Sequence, residues 1–247
     1  MPESFVLVRL LNGLFMSIES RAFQSLGLSP AVAVEKALSV NRALSAELLV
    51  VAGLILFFLV VRFSLSVEKP NPAQQVAEML HGIVGGQAEQ VIGPGYERFQ
   101  AFVTCIGLFV LFNNLMGLIP GVVTPTSQPW VPLGLAVPVF LYYNFNGLRA
   151  NGFGGYLKQF LGPLPALSPL IFLIETISHL ARILSLTVRL YANMLASDLL
   201  TLIAFSMVPL LVPVIPLGLH AFISVIQAFV FMLLTMIYLA LAVAHEH

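Results

Sequence analysis

The chain has 247 residues, of which 59% are hydrophobic and only 9% charged, well below the quarter expected of a soluble domain. Eleven Lys and Arg balance eleven Asp and Glu, so no basic surplus points to nucleic acid. A single cysteine, Cys105, rules out an internal disulfide, a cysteine-based zinc site and an iron–sulfur cluster, and no metal site or other cofactor is implied.

Residues 1–44 form an N-terminal arm. Phe5, Leu7, Val8, Leu11, Leu14, Phe15 and Ile18 recur at helical spacing beside Arg9, Glu19 and Arg21. The pattern suits an amphipathic helix on a membrane surface or a flexible arm. The mixture of acids and bases there, without a compact apolar core and cleavage site, gives no secretory signal.

Residues 45–247 read as a single membrane domain. The stretch 45–64 is the first clear span, with Arg62 near its end able to reach the interface. Pro70 and Pro72 break the chain. Residues 73–93, with Glu78, His81, Glu89 and four glycines, are too polar to cross and suit an interfacial helix. A second span covers 99–119. The loop 120–132 holds four prolines, no charge, and Trp130, which suits the aromatic belt. A third, short span covers about 133–148, and a Gly-rich loop follows at 151–163.

Residues 170–206 then run without Pro or Gly, within a fourth span of 168–206. At about 1.5 Å per residue this helix is roughly 55 Å long against a hydrocarbon core of about 30 Å, so it must lie steeply tilted. It carries Glu175, His179, Arg182, Arg189 and Asp198, and ionisable groups at that depth mark an ion path. After Pro209, Pro213, Pro216 and Gly218 comes a fifth span, 217–244. The fold expected is therefore an all-α polytopic membrane protein of about five membrane helices, the last two long and strongly tilted. Loops 120–132 and 207–218 carry no Lys or Arg, whereas 62–98 and 149–158 do, which puts the C-terminus on the cytoplasmic side.

In an antiparallel hairpin of the last two helices, residues at one depth have a constant index sum. Asp198 is then level with His220, Arg189 with Gln227, and His179 with Tyr238. At 100° per residue Asp198 points about 180° away from Arg189. Either the helices curve and cross, or Arg189 faces a third body while Asp198 turns away from it. Arginine suits a fixed cation because it effectively never releases its proton. Asp and His suit proton exchange once burial and pairing shift them.

The segments SLTVRLYANMLASDLL (185–200) and LHAFISVIQAFVFMLLTMIYLALA (219–242) resemble subunit a of rotary F-type ATP synthases. LFNNLMGLIPG at 111–121 and FLGPLPALSPLIFLIETISHLAR at 160–182 extend the likeness. The resemblance implies a non-catalytic stator subunit with two aqueous half-channels against a ring of subunit c hairpins. It also implies a peripheral stalk subunit b and the other ATP synthase subunits as partners, in contact with membrane lipid. Arg189 then matches the essential arginine, Asn193 its neighbouring asparagine, and Gln227 the partner glutamine. Glu175 matches an acid in an aqueous path, and Asp198 with His220 a polar pair on the proton path. Protons are expected rather than sodium, in a bacterial plasma membrane or an organellar energy-transducing one. The alternative is a secondary proton-coupled carrier, although no internal repeat occurs. An intramembrane hydrolase lacks both Gly-x-Ser-x-Gly and His-Glu-x-x-His, and no phosphate-cradling loop is present.

Overall fold

A computed structural model describes residues 30–63, 65, 66, 71–119, 122, 124–161, 168–207 and 212–243. Among the described residues six α-helices follow in order: α1 (Pro30–Phe63), α2 (Pro72–Ile92), α3 (Glu97–Leu115), α4 (Trp130–Leu161), α5 (Ser168–Met207) and α6 (Val214–Val243). Two 3₁₀ turns, Met116–Leu118 and Pro125–Ser127, lie between α3 and α4, and no strand occurs among the described residues. Among the described residues five segments are long and apolar enough to cross a membrane: Ala43–Phe63, Glu97–Leu118, Trp130–Gly152, Ser168–Met207 and Val214–Val243. The expectation of an all-α chain with about five membrane helices is met.

Local chemistry explains three of the helix ends. Pro72 opens α2 at a position whose N–H would be unpaired in any case. Gly93, at φ 82°, closes α2 and donates its N–H to the Glu89 carbonyl, a conformation a Cβ would oppose. Glu97 places an acid in the first turn of α3, where the helix dipole favours it.

Two stretches differ from the sequence reading. Residues 30–44 continue α1 without interruption; the apolar periodicity at residues 5–18 lies outside the described residues. The Gly-rich stretch after Arg149 stays helical rather than opening into a loop. Gly152, at φ 67° and ψ 166°, kinks the chain, and helix resumes to Leu161. Gly147 explains why the returning segment fits, since a Cβ there would meet Tyr156 Cε2 at 2.7 Å and the Ala242 carbonyl at 3.0 Å. Tyr156 also donates its hydroxyl to Asn144 Oδ1 at 2.5 Å, which fastens the returning segment to the span it left.

The core lies among α3, α4, α5 and α6. Val103, Val110, Val139, Tyr143, Leu186, Leu190, Met194, Phe231, Met236 and Leu239 are fully or nearly fully buried in it. Helix α3 approaches α6 closely because Gly107 has no side chain; a Cβ there would lie 2.2 Å from Met232 Sδ. Helix α5 is different. Only 6% of its most apolar window is buried, against 44% for α6, so α5 forms an outer wall of the bundle. Its buried residues, Leu186, Leu190, Met194, Ser197 and Ala204, fall on one stripe. Arg189 and Asp198, nine residues apart, leave the helix on opposite flanks of that stripe.

Candidate functional site: a polar path along helices α5 and α6

The expected site residues separate into three places along α5. Glu175 sits nearest its N-terminus in a cluster closed within the chain. Its Oε1 lies 3.3 Å from His179 Nδ1 and 3.7 Å from Arg182 Nη2. Arg182 also stacks its guanidinium over the Tyr238 ring at 5.3 Å. The His179 and Tyr238 rings, level by index sum, both pack on Tyr143, with centroids 5.9 and 5.8 Å away. The buried Tyr143 hydroxyl has no hydrogen-bond partner among the described residues.

Arg189 stands at the middle level. Its side chain is exposed on the outer flank of α5, and among the described residues no carboxylate lies within ion-pair distance of it. Gln227, placed level with it by the sequence, is buried and turned to a different partner. Asn193 Nδ2 donates to Gln227 Oε1 at 2.8 Å, so Asn193 and Gln227 form the bridge between α5 and α6 at this depth. The other amide atom of Gln227, Nε2, is buried without a partner among the described residues. Replacing Asn193 by alanine leaves Gln227 Oε1 unpaired as well. The expected cost is about 1–3 kcal/mol, read as a lower unfolding midpoint in detergent. An unchanged midpoint would show that the bridge contributes nothing.

The third place is built around Asp198 and His220. His220 is 1% exposed, and its Nδ1 lies 3.6 Å from Asp198 Oδ1 and 2.8 Å from Ser197 Oγ. Its other nitrogen, Nε2, is 3.0 Å from the Asn114 carbonyl, which can only accept, so Nε2 carries a hydrogen in that bond. In the neutral ring Nδ1 is then the acceptor facing the Ser197 hydroxyl. Thr124 Oγ1 donates to Asp198 Oδ1 at 2.8 Å across 74 residues of chain.

Thr124 reaches Asp198 because the proline-rich loop folds inward. Thr124, Pro125, Thr126 and Ser127 are all buried. Burial of so much backbone is tolerated because partners are at hand. Thr126 Oγ1 donates to Asn114 Oδ1 at 2.6 Å, Ser127 Oγ to the Thr124 carbonyl at 2.7 Å, and the Ser127 amide to the same carbonyl at 3.1 Å. Gly117 makes the room, since a Cβ there would lie 2.0 Å from Thr124 Oγ1 and 2.8 Å from His220 Cε1 and Nε2.

Sequence reasoning missed Thr124, Ser197 and the Asn114 carbonyl. The signals available were a hydroxyl-rich run, Thr124-Pro125-Thr126-Ser127, in a loop without charge, and a serine next to the membrane aspartate. A cleft of about 360 Å³ opens between α5 and α6 beside the site, lined by Asn193, Ala196, Ser197, Leu200, Leu219, Ile223, Ile226 and Gln227. Among the described residues no group of three His, Cys, Asp or Glu side chains is placed to hold a metal ion.

The arrangement offers two separate sets of groups able to exchange protons and one cation between them that cannot. The family described as ATP synthase A chain matches residues 45–240. An ATP synthase subunit a of Koribacter versatilis (strain Ellin345) is 51% identical over 201 residues, covering 81% of this chain and 82% of the relative. One of Solibacter usitatus (strain Ellin6076) is 47% identical over 201 residues, 81% of this chain and 86% of the relative. A third, of Sulfurihydrogenibium sp. (strain YO3AOP1), is 37% identical over 198 residues, 78% of this chain and 95% of the relative. With five apolar helices of membrane-crossing length, the chain is an integral, multi-pass membrane protein and a subunit of an ATP synthase complex. The chain belongs to the ATP synthase A chain family.

Proposed function

We propose that this chain is the proton-conducting stator of a rotary ATP synthase. It forms two aqueous half-channels against a ring of subunit c hairpins, each bearing one membrane carboxylate, and couples proton flow to rotation of the ring. The observation that carries the reading is the setting of Arg189. An exposed guanidinium on a membrane-crossing helix is costly unless an anion or water meets it, and none of the described carboxylates does. Its anionic partner is therefore sought on another subunit.

Along α5, Glu175 lies 14 residues to one side of Arg189 and Asp198 nine to the other, about 21 and 14 Å by helix rise. Each proton-exchanging cluster thus serves one half-channel, and Arg189 separates them. Asp198 and His220 serve the half-channel on the side of loop 207–218, and Glu175 the cytoplasmic one. The loop charges support a cytoplasmic C-terminus, and the organisms of the relatives support the plasma membrane of a bacterium. Peripheral stalk subunit b is the further partner. The chain makes and breaks no covalent bond itself.

The test is proton flux in membrane vesicles carrying the assembled complex. ATP addition acidifies them, and the purified chain without its ring conducts no protons specifically. Solute transport by the isolated chain would favour a secondary carrier. Asp198→Ala is expected to lower ATP-driven flux by about 10²-fold, as loss of a proton-transferring group does elsewhere, with the complex still assembled. Undiminished flux in that variant would assign the Asp198–His220 contact a structural role.

A further inference from the structure

Asp198 and Arg189 lie on opposite flanks of the buried stripe of α5, so a proton moving between their levels must pass that stripe or go around it. Of the five buried residues on the stripe, Leu186, Leu190, Met194 and Ala204 are apolar and Ser197 is the only polar one. Ser197 also belongs to two environments. Its hydroxyl is 2.8 Å from His220 Nδ1 in the interior, and the residue lines the cleft shared with Asn193 and Gln227. Neither His220 nor Asp198 is among the residues that line that cleft. Asn193 and Gln227, the other two polar residues lining it, are hydrogen-bonded to each other.

We propose that the Ser197 hydroxyl is the relay that passes a proton between His220 and the cleft lined by Asn193, which leaves α5 about 40° from Arg189. The inference rests on the proton-conducting reading above and adds a residue and an order of events to it. With His220 as imidazolium, Nδ1–H donates to Ser197 Oγ. The hydroxyl takes that proton while releasing its own to an acceptor in the cleft, a water or a carboxylate on the ring. The serine is neutral before and after. The imidazole keeps its Nε2 hydrogen on the Asn114 carbonyl, and the acceptor gains one proton. His220 Nδ1 then regains a proton from Asp198, 3.6 Å away; reversed, the same exchange carries a proton inward, and His220 Nδ1 passes it on to Asp198.

The test compares ATP-driven proton flux in vesicles carrying the assembled complex with residue 197 varied. Ser197→Ala is expected to lower flux about tenfold or more, and Ser197→Thr, which keeps the hydroxyl, to stay within about twofold of wild type. Ser197→Gly is the informative variant. It leaves room for a water beside His220 Nδ1 and is expected to conduct better than Ser197→Ala. A serine that merely packs or stiffens α5 gives the opposite order, because glycine weakens a helix more than alanine does. Where Ser197→Ala fails to assemble, Ser197→Val against Ser197→Thr makes the comparison, being alike in shape and different only in the hydroxyl.

Wild-type flux in Ser197→Ala or Ser197→Val, or glycine performing worse than alanine, overturns the relay while leaving the stator reading in place, provided wild-type vesicles still acidify and Arg189→Ala vesicles do not. Wild-type vesicles that fail to acidify, or normal acidification with Arg189→Ala, overturn both.

Discussion

Replacing Arg189 by alanine is expected to abolish ATP-driven acidification of vesicles, with the complex assembled and ATP still bound by its soluble part. The magnitude follows from the charge. A unit cation about 4 Å from a carboxylate contributes on the order of 4 kcal/mol at an effective dielectric of 20, which moves the ionisation of that carboxylate by about three pH units. Without it, a ring carboxylate passing the stator keeps its proton, and no step separates entry from exit. Passive proton leak is expected to rise as pumping falls, because the barrier between the two polar clusters is the same guanidinium. Arg189→Lys is expected to fail as well. Lysine carries a compact charge on a flexible stem and loses its proton when buried, whereas arginine stays charged. Normal acidification in either variant would remove Arg189 from the mechanism.

The second large effect is expected where no charge is touched. Gly117→Ala places a methyl group 2.0 Å from Thr124 Oγ1 and 2.8 Å from two ring atoms of His220. One or both must move, and each holds its position by hydrogen bonds that the polar site needs. Overpacking of this kind costs about 1–3 kcal/mol, enough to lower the population of the intact arrangement about 5- to 150-fold. Proton flux is expected to fall accordingly. Gly134→Ala is the control, since a Cβ at that position meets nothing within 4 Å. Equal flux from the two variants would mean that Thr124 and His220 need not stay where they are.

Much of this arrangement is legible in the sequence, and the limit has a physical cause. Regular helices convert residue number into height and angle, so the index sum brings Asp198 level with His220, and their side chains are 3.6 Å apart. The same arithmetic sets Arg189 level with Gln227, but height says nothing of facing. Gln227 takes Asn193, and Arg189 stays outside. The 180° angle between Arg189 and Asp198 does carry over, because both lie on one uninterrupted helix.

Thr124 is the residue that counting cannot find. It lies on a loop whose four prolines and lack of charge read as an external connection. The loop folds inward because Thr126, Ser127 and Thr124 find partners in Asn114, the Thr124 carbonyl and Asp198, contacts set by tertiary structure rather than by any period. Gly152 misleads in the opposite sense. A cluster of glycines suggests a loop, yet a single left-handed residue absorbs the bend and helix resumes on both sides.

The central claim is that Arg189 faces a moving carboxylate of another subunit. The most direct measurement is a side-chain-resolution structure of the assembled complex halted at successive rotor positions. The expected result is the guanidinium within about 4–6 Å of a carboxylate from a neighbouring chain in at least one position, the range over which an opposite charge holds an acid ionised. An Arg189 side chain that points into bulk water, or stays paired within its own chain in every position, would contradict it.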